Sequence, residues 1–303
     1  MISKNDNRRG KRSCGDSPHF SGQHLLHHKK TIQEIVAAAK VGRQDTVLDL
    51  GAGKGALTAV LNQKAGKVLA VEIDRRFVDI LKQKNLPYPN TQVIHEDILN
   101  MRLPKEPFIV VSNIPYSITT PILKKLLSKP SSGFQRGVIV MEKGAAKRFT
   151  AKTAKDPYIV AWRMWFDIRY VKDIPRQSFA PPPKVDSALV AISRKAKPIV
   201  PMKDYPVFWG MAEHVLKNPG LSVDLALRGL FTAPQIKHVK RSLGARGDLP
   251  VASLSEHQWG IVFESMVRHV PKFRWPKAKK RSSAVFEDGA PRLFLTASNW
   301  SSW

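Results

Sequence analysis

Cysteine is nearly absent from the chain: Cys14 is the single one in 303 residues. That excludes an intrachain disulfide framework and any metal site built from clustered thiolates. Acidic residues are scarce as well, 24 Asp and Glu against 50 Lys and Arg, which leaves a net charge of +26. Such a balance says little about fold and much about partners, because it selects polyanions. No apolar run approaches the length of a bilayer span. No amphipathic stretch pairs a long apolar face with a basic one, so nucleic acid is the expected partner and a membrane is not. The charged, polar N-terminus lacks the apolar segment of a secretion leader, and a cytoplasmic location is expected.

Apolar residues make up 43% of the chain, ordinary for a globular protein, and the length suits one sizeable domain plus a smaller one. Residues 1–17 carry Lys4, Arg8, Arg9, Lys11 and Arg12 without apolar period and read as a basic, disordered arm. A helix is predicted over Lys29–Lys40, with Ile32, Ile35, Val36 and Ala39 on one face. His24, His27 and His28 precede it, but no carboxylate or thiol stands at ligand spacing, so a metal is not expected. Short apolar runs then alternate with helical patterns. Strands are predicted at Thr46–Leu50, Val68–Val71, Gln92–His95, Phe108–Val111, Gly137–Met141, Arg163–Val171 and Ser187–Ser193. This alternation over residues 18–195 describes a doubly wound, mostly parallel sheet. Pro198 and Pro201 mark a linker, and helical patterns over Tyr205–Leu216, Pro234–Leu243 and Ser255–His269 form a smaller unit at 202–271. A basic tail, 272–303, opens with six cations between Lys272 and Arg281, interleaved with Phe273 and Trp275. It is expected to be disordered.

The chemistry is expected at the carboxyl ends of the first four strands. Gly51-Ala52-Gly53-Lys54-Gly55 links a strand to a helix, and glycines there let backbone approach a ligand. Glu72 ends the second strand, about 20 residues on, where a carboxylate can accept from both hydroxyls of a ribose. Asp97, after the third, can accept from an adenine amino group. The fourth runs into Asn113-Ile114-Pro115-Tyr116. Asn supplies a neutral acceptor, Pro stiffens the turn and presents the Ile114 carbonyl, and Tyr offers a flat face. Two acceptors beside an aromatic plane suit a flat heterocycle with an exocyclic amino group, such as adenine.

Six motifs in order carry a resemblance: F-S-G-Q-H-L-L at 20–26, L-D-L-G-A-G-K-G at 48–55, V-E-I-D at 71–74, E-D-I at 96–98, N-I-P-Y at 113–116 and F-A-P-P-P-K-V-D-S at 179–187. They resemble the rRNA adenine-N6 dimethyltransferases. G-A-G-K-G, N-I-P-Y-S-I-T-T and E-K-G-A-A-K-R-F at 142–149 are most similar to the Erm branch, which acts on 23S rRNA. The resemblance implies a Rossmann-like class I methyltransferase domain, a seven-stranded sheet, with a small C-terminal all-helical, RNA-binding domain. It implies S-adenosylmethionine as cofactor, with Gln23, His24 and Leu26 over its methionine end, Gly51 and Gly53 giving close approach, Glu72 on its ribose, and Asp97 with Ile98 at its adenine. Asn113 would line the cofactor site and, with the Ile114 carbonyl, hold the target N6 amino group; Pro115 stiffens the turn. Tyr116 would stack on the target base and Phe179 would cover its other face. The implied partner is 23S rRNA before ribosome assembly is complete, met by a monomer, with resistance to macrolide, lincosamide and streptogramin B drugs as the outcome. Two alternatives stay open: a small-subunit rRNA dimethyltransferase, and a non-catalytic nucleic-acid-binding factor on the same fold. A DNA adenine methyltransferase would carry D/N-P-P-Y, a pattern that Ile114 breaks.

Overall fold

The apolar runs alternate between two buried faces. Val47, Ile109 and Val138 face one apolar layer with Ile35 and Leu61, while Leu48, Val110 and Ile139 face the other with Ile122 and Leu126. A side-chain period of two with helices on both sides makes such a strand apolar throughout. The structure, a computed structural model, describes residues 24–85, 87–244 and 249–278. The arm at 1–17, Gln23 and the tail from Lys279 onward lie outside them.

The first half contains β1 (Leu25–Leu26), α1 (Lys29–Ala39), β2 (Thr46–Leu50), α2 (Thr58–Leu61), β3 (Lys67–Glu72), α3 (Arg75–Asn85), β4 (Thr91–His95), β5 (Phe108–Asn113) and α4 (Thr119–Leu127). There follow β6 (Phe134–Glu142), α5 (Lys143–Thr150), α6 (Pro157–Trp165), β7 (Phe166–Ile174), β8 (Phe179–Ala180) and β9 (Ser187–Arg194). The last part is helical: α7 (Tyr205–Val215), α8 (Val223–Ala226), α9 (Ala233–Leu243) and α10 (Glu256–His269). Seven strands form one sheet in the order β4-β3-β2-β5-β6-β9-β7. β2 through β6 pair in parallel, and β9 runs antiparallel to both β6 and β7. The class I methyltransferase architecture expected from the resemblance is therefore present. The strand order reverses at β2, whose neighbours are β3 and β5, so the crevice of a doubly wound sheet opens at the carboxyl ends of these strands.

The structure corrects the predicted sixth strand. Arg163–Trp165 ends a helix, α6, and the strand runs Phe166–Ile174 instead. Asp156 caps that helix by accepting from the Tyr158 N–H at 2.8 Å, and Pro157 occupies its first turn. Its sequence is apolar on every side because the sheet covers one flank and the C-terminal helices the other, so no helical period is visible. The helix expected after the glycine turn is short, Thr58–Leu61.

The boundary at 195–202 separates chain segments, but not cores. Trp162 and Trp165 of α6 share one apolar cluster with Phe208 and Trp209 of α7 and Trp259 and Phe263 of α10. Lys195 bridges the two parts, ion-paired to Asp167 and, at 2.9 Å, to Glu256. Among the described residues, no helix is long and apolar enough to cross a membrane.

Candidate active site

Strand β2 delivers Leu50 into the glycine turn, where three positions have left-handed backbone: Gly51 at φ +74°, Gly53 at φ +54° and Gly55 at φ +82°. A Cβ on Gly51 would lie 3.2 Å from Pro115 Cδ, and one on Gly53 would lie 2.7 Å from Leu25 Cδ2. The turn is thus packed directly against the Asn-Ile-Pro-Tyr loop and against β1, which only glycine permits. Gly51 and Ala52 donate their N–H groups to the Val71 carbonyl, at 2.9 and 3.0 Å, so the turn is locked to the end of β3.

Glu72 ends β3 almost fully buried, 3% exposed. Its Oε2 accepts from the Gly53 N–H at 2.8 Å, and its Oε1 accepts from the N–H groups of Ile73 and Asp74, each at 2.9 Å. A carboxylate offers about four acceptor positions, and three are taken. These three donors fix the carboxylate at the end of β3 and leave part of its acceptor capacity free.

These groups border a cavity of about 290 Å³, lined among others by Glu72, Ile73, Asp97, Ile98, Asn113 and Tyr116. Gly51, Gly53, His24, Ile114 and Pro115 complete much of its wall, so nearly every expected site residue meets there. Asp97 accepts from the Leu99 N–H at 2.8 Å, which folds the loop after β4 around its own carboxylate. Lys125 of α4 clamps that loop from below, donating to the Leu99 carbonyl at 2.8 Å. Burial holds the Lys125 ammonium pKa below its ordinary value, while Glu96 and Asp97 pull the other way.

Asn113 is fixed by donating from Nδ2 to the His24 carbonyl at 2.8 Å. The other end of the amide, Oδ1, is buried and has no hydrogen-bond partner. A buried acceptor left unpaired is costly unless something else fills it. The Ile114 carbonyl likewise accepts no hydrogen bond from the described residues. Two acceptors on adjacent residues are therefore left without donors among the described residues. Ser112, just before, is fully buried; its hydroxyl accepts from the Leu50 N–H at 2.7 Å and joins β2 to β5 where the order reverses.

The histidines before α1 are engaged locally. His24 donates from Nδ1 to the Pro181 carbonyl at 2.9 Å, and its ring lies 5.9 Å from that of Tyr116. His28 caps α1, accepting from the Thr31 N–H. Motifs far apart in the chain are joined by a ribbon, β1 against β8, with Leu26 opposite Phe179. Sequence reasoning missed it because two-residue strands carry no period.

Phe179 departs from its expected place. It is 1% exposed, packed with Leu26, Ile174 and Leu189, and does not line the cavity. Pairing with β1 turns its ring inward, so it supports the floor instead of covering a bound base. Tyr116 keeps its expected place and gains a partner: its hydroxyl shares a 2.5 Å hydrogen bond with Ser187, which is fully buried at the start of β9. Burial raises the Tyr116 pKa. Ser187 thus sets the plane of the ring that borders the cavity. Ser187→Ala is expected to lower turnover about tenfold, the effect of losing roughly one hydrogen bond of orientation. In a Tyr116→Phe background the same change should have no further effect. Additive losses in that double-mutant cycle would separate Ser187 from the ring.

Asp49 was not foreseen either, although a carboxylate in an apolar strand is itself a signal. It is 1% exposed, accepts from the Thr58 hydroxyl at 2.7 Å, and lines a second, small cavity with Leu26, Leu57 and Asn113. Burial, chiefly, pushes its pKa up to about 7, and the charge of Glu72 adds to the rise. The folded state then binds this proton more tightly than the unfolded chain, whose ordinary value is 3.8. Stability from the group is complete below that value and is lost as pH rises through about 7, on the order of 4 kcal/mol in all. Urea unfolding of the ligand-free protein should weaken between about pH 4 and 7 more steeply than that of Asp49→Asn. Parallel pH profiles would show that Asp49 titrates normally.

Comparison with known proteins agrees with this geometry. A family model described as ribosomal RNA adenine dimethylase matches residues 18–267. An rRNA adenine N-6-methyltransferase of Bacillus licheniformis is 56% identical over 282 residues, covering 93% of this chain and 98% of that one. A ribosomal RNA small subunit methyltransferase A of Bacillus mycoides (strain KBAB4) is 35% identical over 202 residues, 62% of this chain and 68% of that one. Among solved structures, the 23S rRNA methyltransferase ErmE superposes with a TM-score of 0.73 at 28% identity, covering 80% of this chain and 100% of that one. The chain belongs to the ribosomal RNA adenine dimethylase family.

Proposed function

We propose that this enzyme methylates the N6 of one adenosine in 23S rRNA, using S-adenosylmethionine, and so blocks the binding site of macrolide, lincosamide and streptogramin B drugs. The observation that carries the reading is the unpaired Oδ1 of Asn113 beside the Ile114 carbonyl, which accepts no hydrogen bond from the described residues. An adenine amino group has two N–H bonds and a lone pair delocalised into the ring. Two acceptors holding those bonds favour a more tetrahedral, more nucleophilic nitrogen. The residues present also fit the cofactor: a glycine turn that a Cβ would obstruct, a carboxylate with one acceptor position free, and a second carboxylate at Asp97. Gly51, Gly53, Glu72, Asp97 and Ile98 would hold it, with His24 on the same cavity wall and Leu26 toward the smaller cavity. When bound, S-adenosylmethionine supplies an electrophilic methyl group. The chain's own contribution is orientation and electrostatic holding of the nucleophile, and no strong base is needed because the nitrogen turns acidic as it is alkylated.

The target base must leave its stack, at a few kcal/mol, and the Tyr116 face offsets part of that cost. A cytoplasmic monomer acting on 23S rRNA before assembly is complete belongs to the same reading, as does an RNA-binding role for the C-terminal helices. The 56% identity to an rRNA adenine N-6-methyltransferase over most of both chains favours it. The test is expression in a drug-sensitive bacterium, followed by primer extension along both large rRNAs. One modified adenosine in 23S rRNA with resistance is expected. Modification confined to 16S rRNA would assign the enzyme to the small subunit instead.

A further inference from the structure

The helical part carries a surface that the catalytic geometry leaves unused. Between α8 and α9 lies an open groove of about 620 Å³, lined by Asp224, Arg228, Ile236, Lys237, Lys240 and Arg241. Lys240 pairs with Asp224 at 3.0 Å. Arg228, Lys237 and Arg241 are exposed and form no ion pair with the described residues. Lys237 stands three residues from Lys240 and four from Arg241, so like charges repel along one helix face. The fold gains nothing from that arrangement, whereas a polyanion in the groove would.

Next to the groove, the turn Lys272–Arg274 presents Phe273, 86% exposed, more than any other large apolar side chain described. The turn is held on both sides. Arg274 donates to the Gly229 carbonyl at 3.1 Å, adjacent to Arg228, and the Trp275 indole N–H donates to the Val270 carbonyl at 2.8 Å. Trp275 also packs against the core, so it is not free to stack, and the ring left facing solvent is that of Phe273. An aromatic face on an anchored turn, with Lys272, Arg274 and Lys277 around it, combines base stacking with phosphate attraction.

We propose that the α8–α9 groove and Phe273 form a second RNA contact, in which the groove grips the substrate's phosphate backbone and Phe273 stacks on an unpaired base away from the target adenosine. This rests on rRNA being the substrate. The helical part then supplies affinity and placement, with the chemistry left to Asn113.

The test uses the full chain, a stem-loop RNA from the methylated region and three variants. Arg228→Ala/Lys237→Ala/Arg241→Ala should raise the RNA Kd at least tenfold at physiological salt. It should also flatten the salt dependence by roughly 2–3 in slope, at about 0.7–0.9 for each phosphate no longer neutralised. Phe273→Ala should raise Kd about fivefold or more with the slope unchanged. The control, Arg43→Ala/Lys64→Ala/Lys67→Ala, removes the same charge from exposed positions at the amino ends of β2 and β3, and should change Kd little. Cofactor affinity and turnover at saturating RNA should stay at parent values in all three. Lys237→Ala alone should show about a third of the slope change, which guards against a folding defect in the triple variant.

Equal losses in the groove and control variants would overturn the proposal, since net charge alone would then explain them. Parent-like binding in both the groove and Phe273 variants would overturn it too. So would unchanged RNA binding with weakened attachment to phosphatidylglycerol vesicles, which would make the patch a membrane contact. If the parent binds the RNA but methylates no adenosine in it, the functional reading fails, and the groove measurement still stands on its own.

Discussion

Asn113→Ala is expected to lower the single-turnover rate of methyl transfer by about 10²–10³, the scale for deleting one preorganised polar group aimed at a reacting centre. Binding of cofactor and of RNA should each change little, because in the proposed mechanism the lost acceptor orients the amino group for reaction and does not grip it for affinity. The Nδ2 bond to the His24 carbonyl disappears as well, at about 1 kcal/mol of stability. Thermal melting should register that smaller loss. Asn113→Asp is the sharper variant. It keeps an acceptor toward the cavity but presents an oxygen to the His24 carbonyl at 2.8 Å, where a donor now sits. Like poles at that distance should rotate the group out of line, so the aspartate is expected to be as poor a catalyst as the alanine. Near-parental turnover in Asn113→Ala would sink the two-acceptor mechanism. Good turnover in Asn113→Asp alone would mean that any acceptor suffices and that the tether to His24 is incidental.

Most of the site was legible because its residues have few other reasons to occur together. Gly51 and Gly53 stand where a strand meets a helix, and the structure shows the left-handed backbone and the close neighbours that require them. The inner strands of the parallel sheet were legible since burial on both faces leaves them mostly apolar. The same rule hid α6: a helix covered on all sides is as featureless as a buried strand, and the reading split it at Arg163. What the chain could not announce were contacts made between distant segments. The pairing of Leu26 with Phe179 turned an expected base-facing ring into packing, and the bond from Tyr116 to Ser187 spans 71 positions. Trp275 and Phe273 look equivalent in sequence, and only packing against the apolar core and the Val270 carbonyl decides which of them stays exposed.

Glu72 illustrates the same limit and carries the second large effect. Sequence position suggested a ligand for both ribose hydroxyls, and removal would then cost only those contacts. In the fold its carboxylate holds three backbone N–H groups, from Gly53, Ile73 and Asp74. Glu72→Ala therefore takes the anchor from the glycine turn and from the start of α3 together. Hydrogen bonds to a charged acceptor contribute about 1.5–3 kcal/mol each, and the freed N–H groups border a cavity where water can replace part of that. A net loss of roughly 3–5 kcal/mol is expected, a fall in Tm on the order of 10 °C for a chain of this size. Cofactor affinity should drop by more than the ribose contact alone explains, because the turn at Gly53 relaxes as well. Glu72→Gln separates the two roles. Its amide oxygen can serve Ile73 and Asp74, but its NH2 then meets the Gly53 N–H donor to donor, so stability should recover in part while cofactor binding stays weak. Calorimetric titration and thermal melting of both variants test this. An unchanged Tm in Glu72→Ala would show that the three N–H bonds contribute nothing net. Unchanged cofactor affinity in both variants would remove Glu72 from the cofactor site.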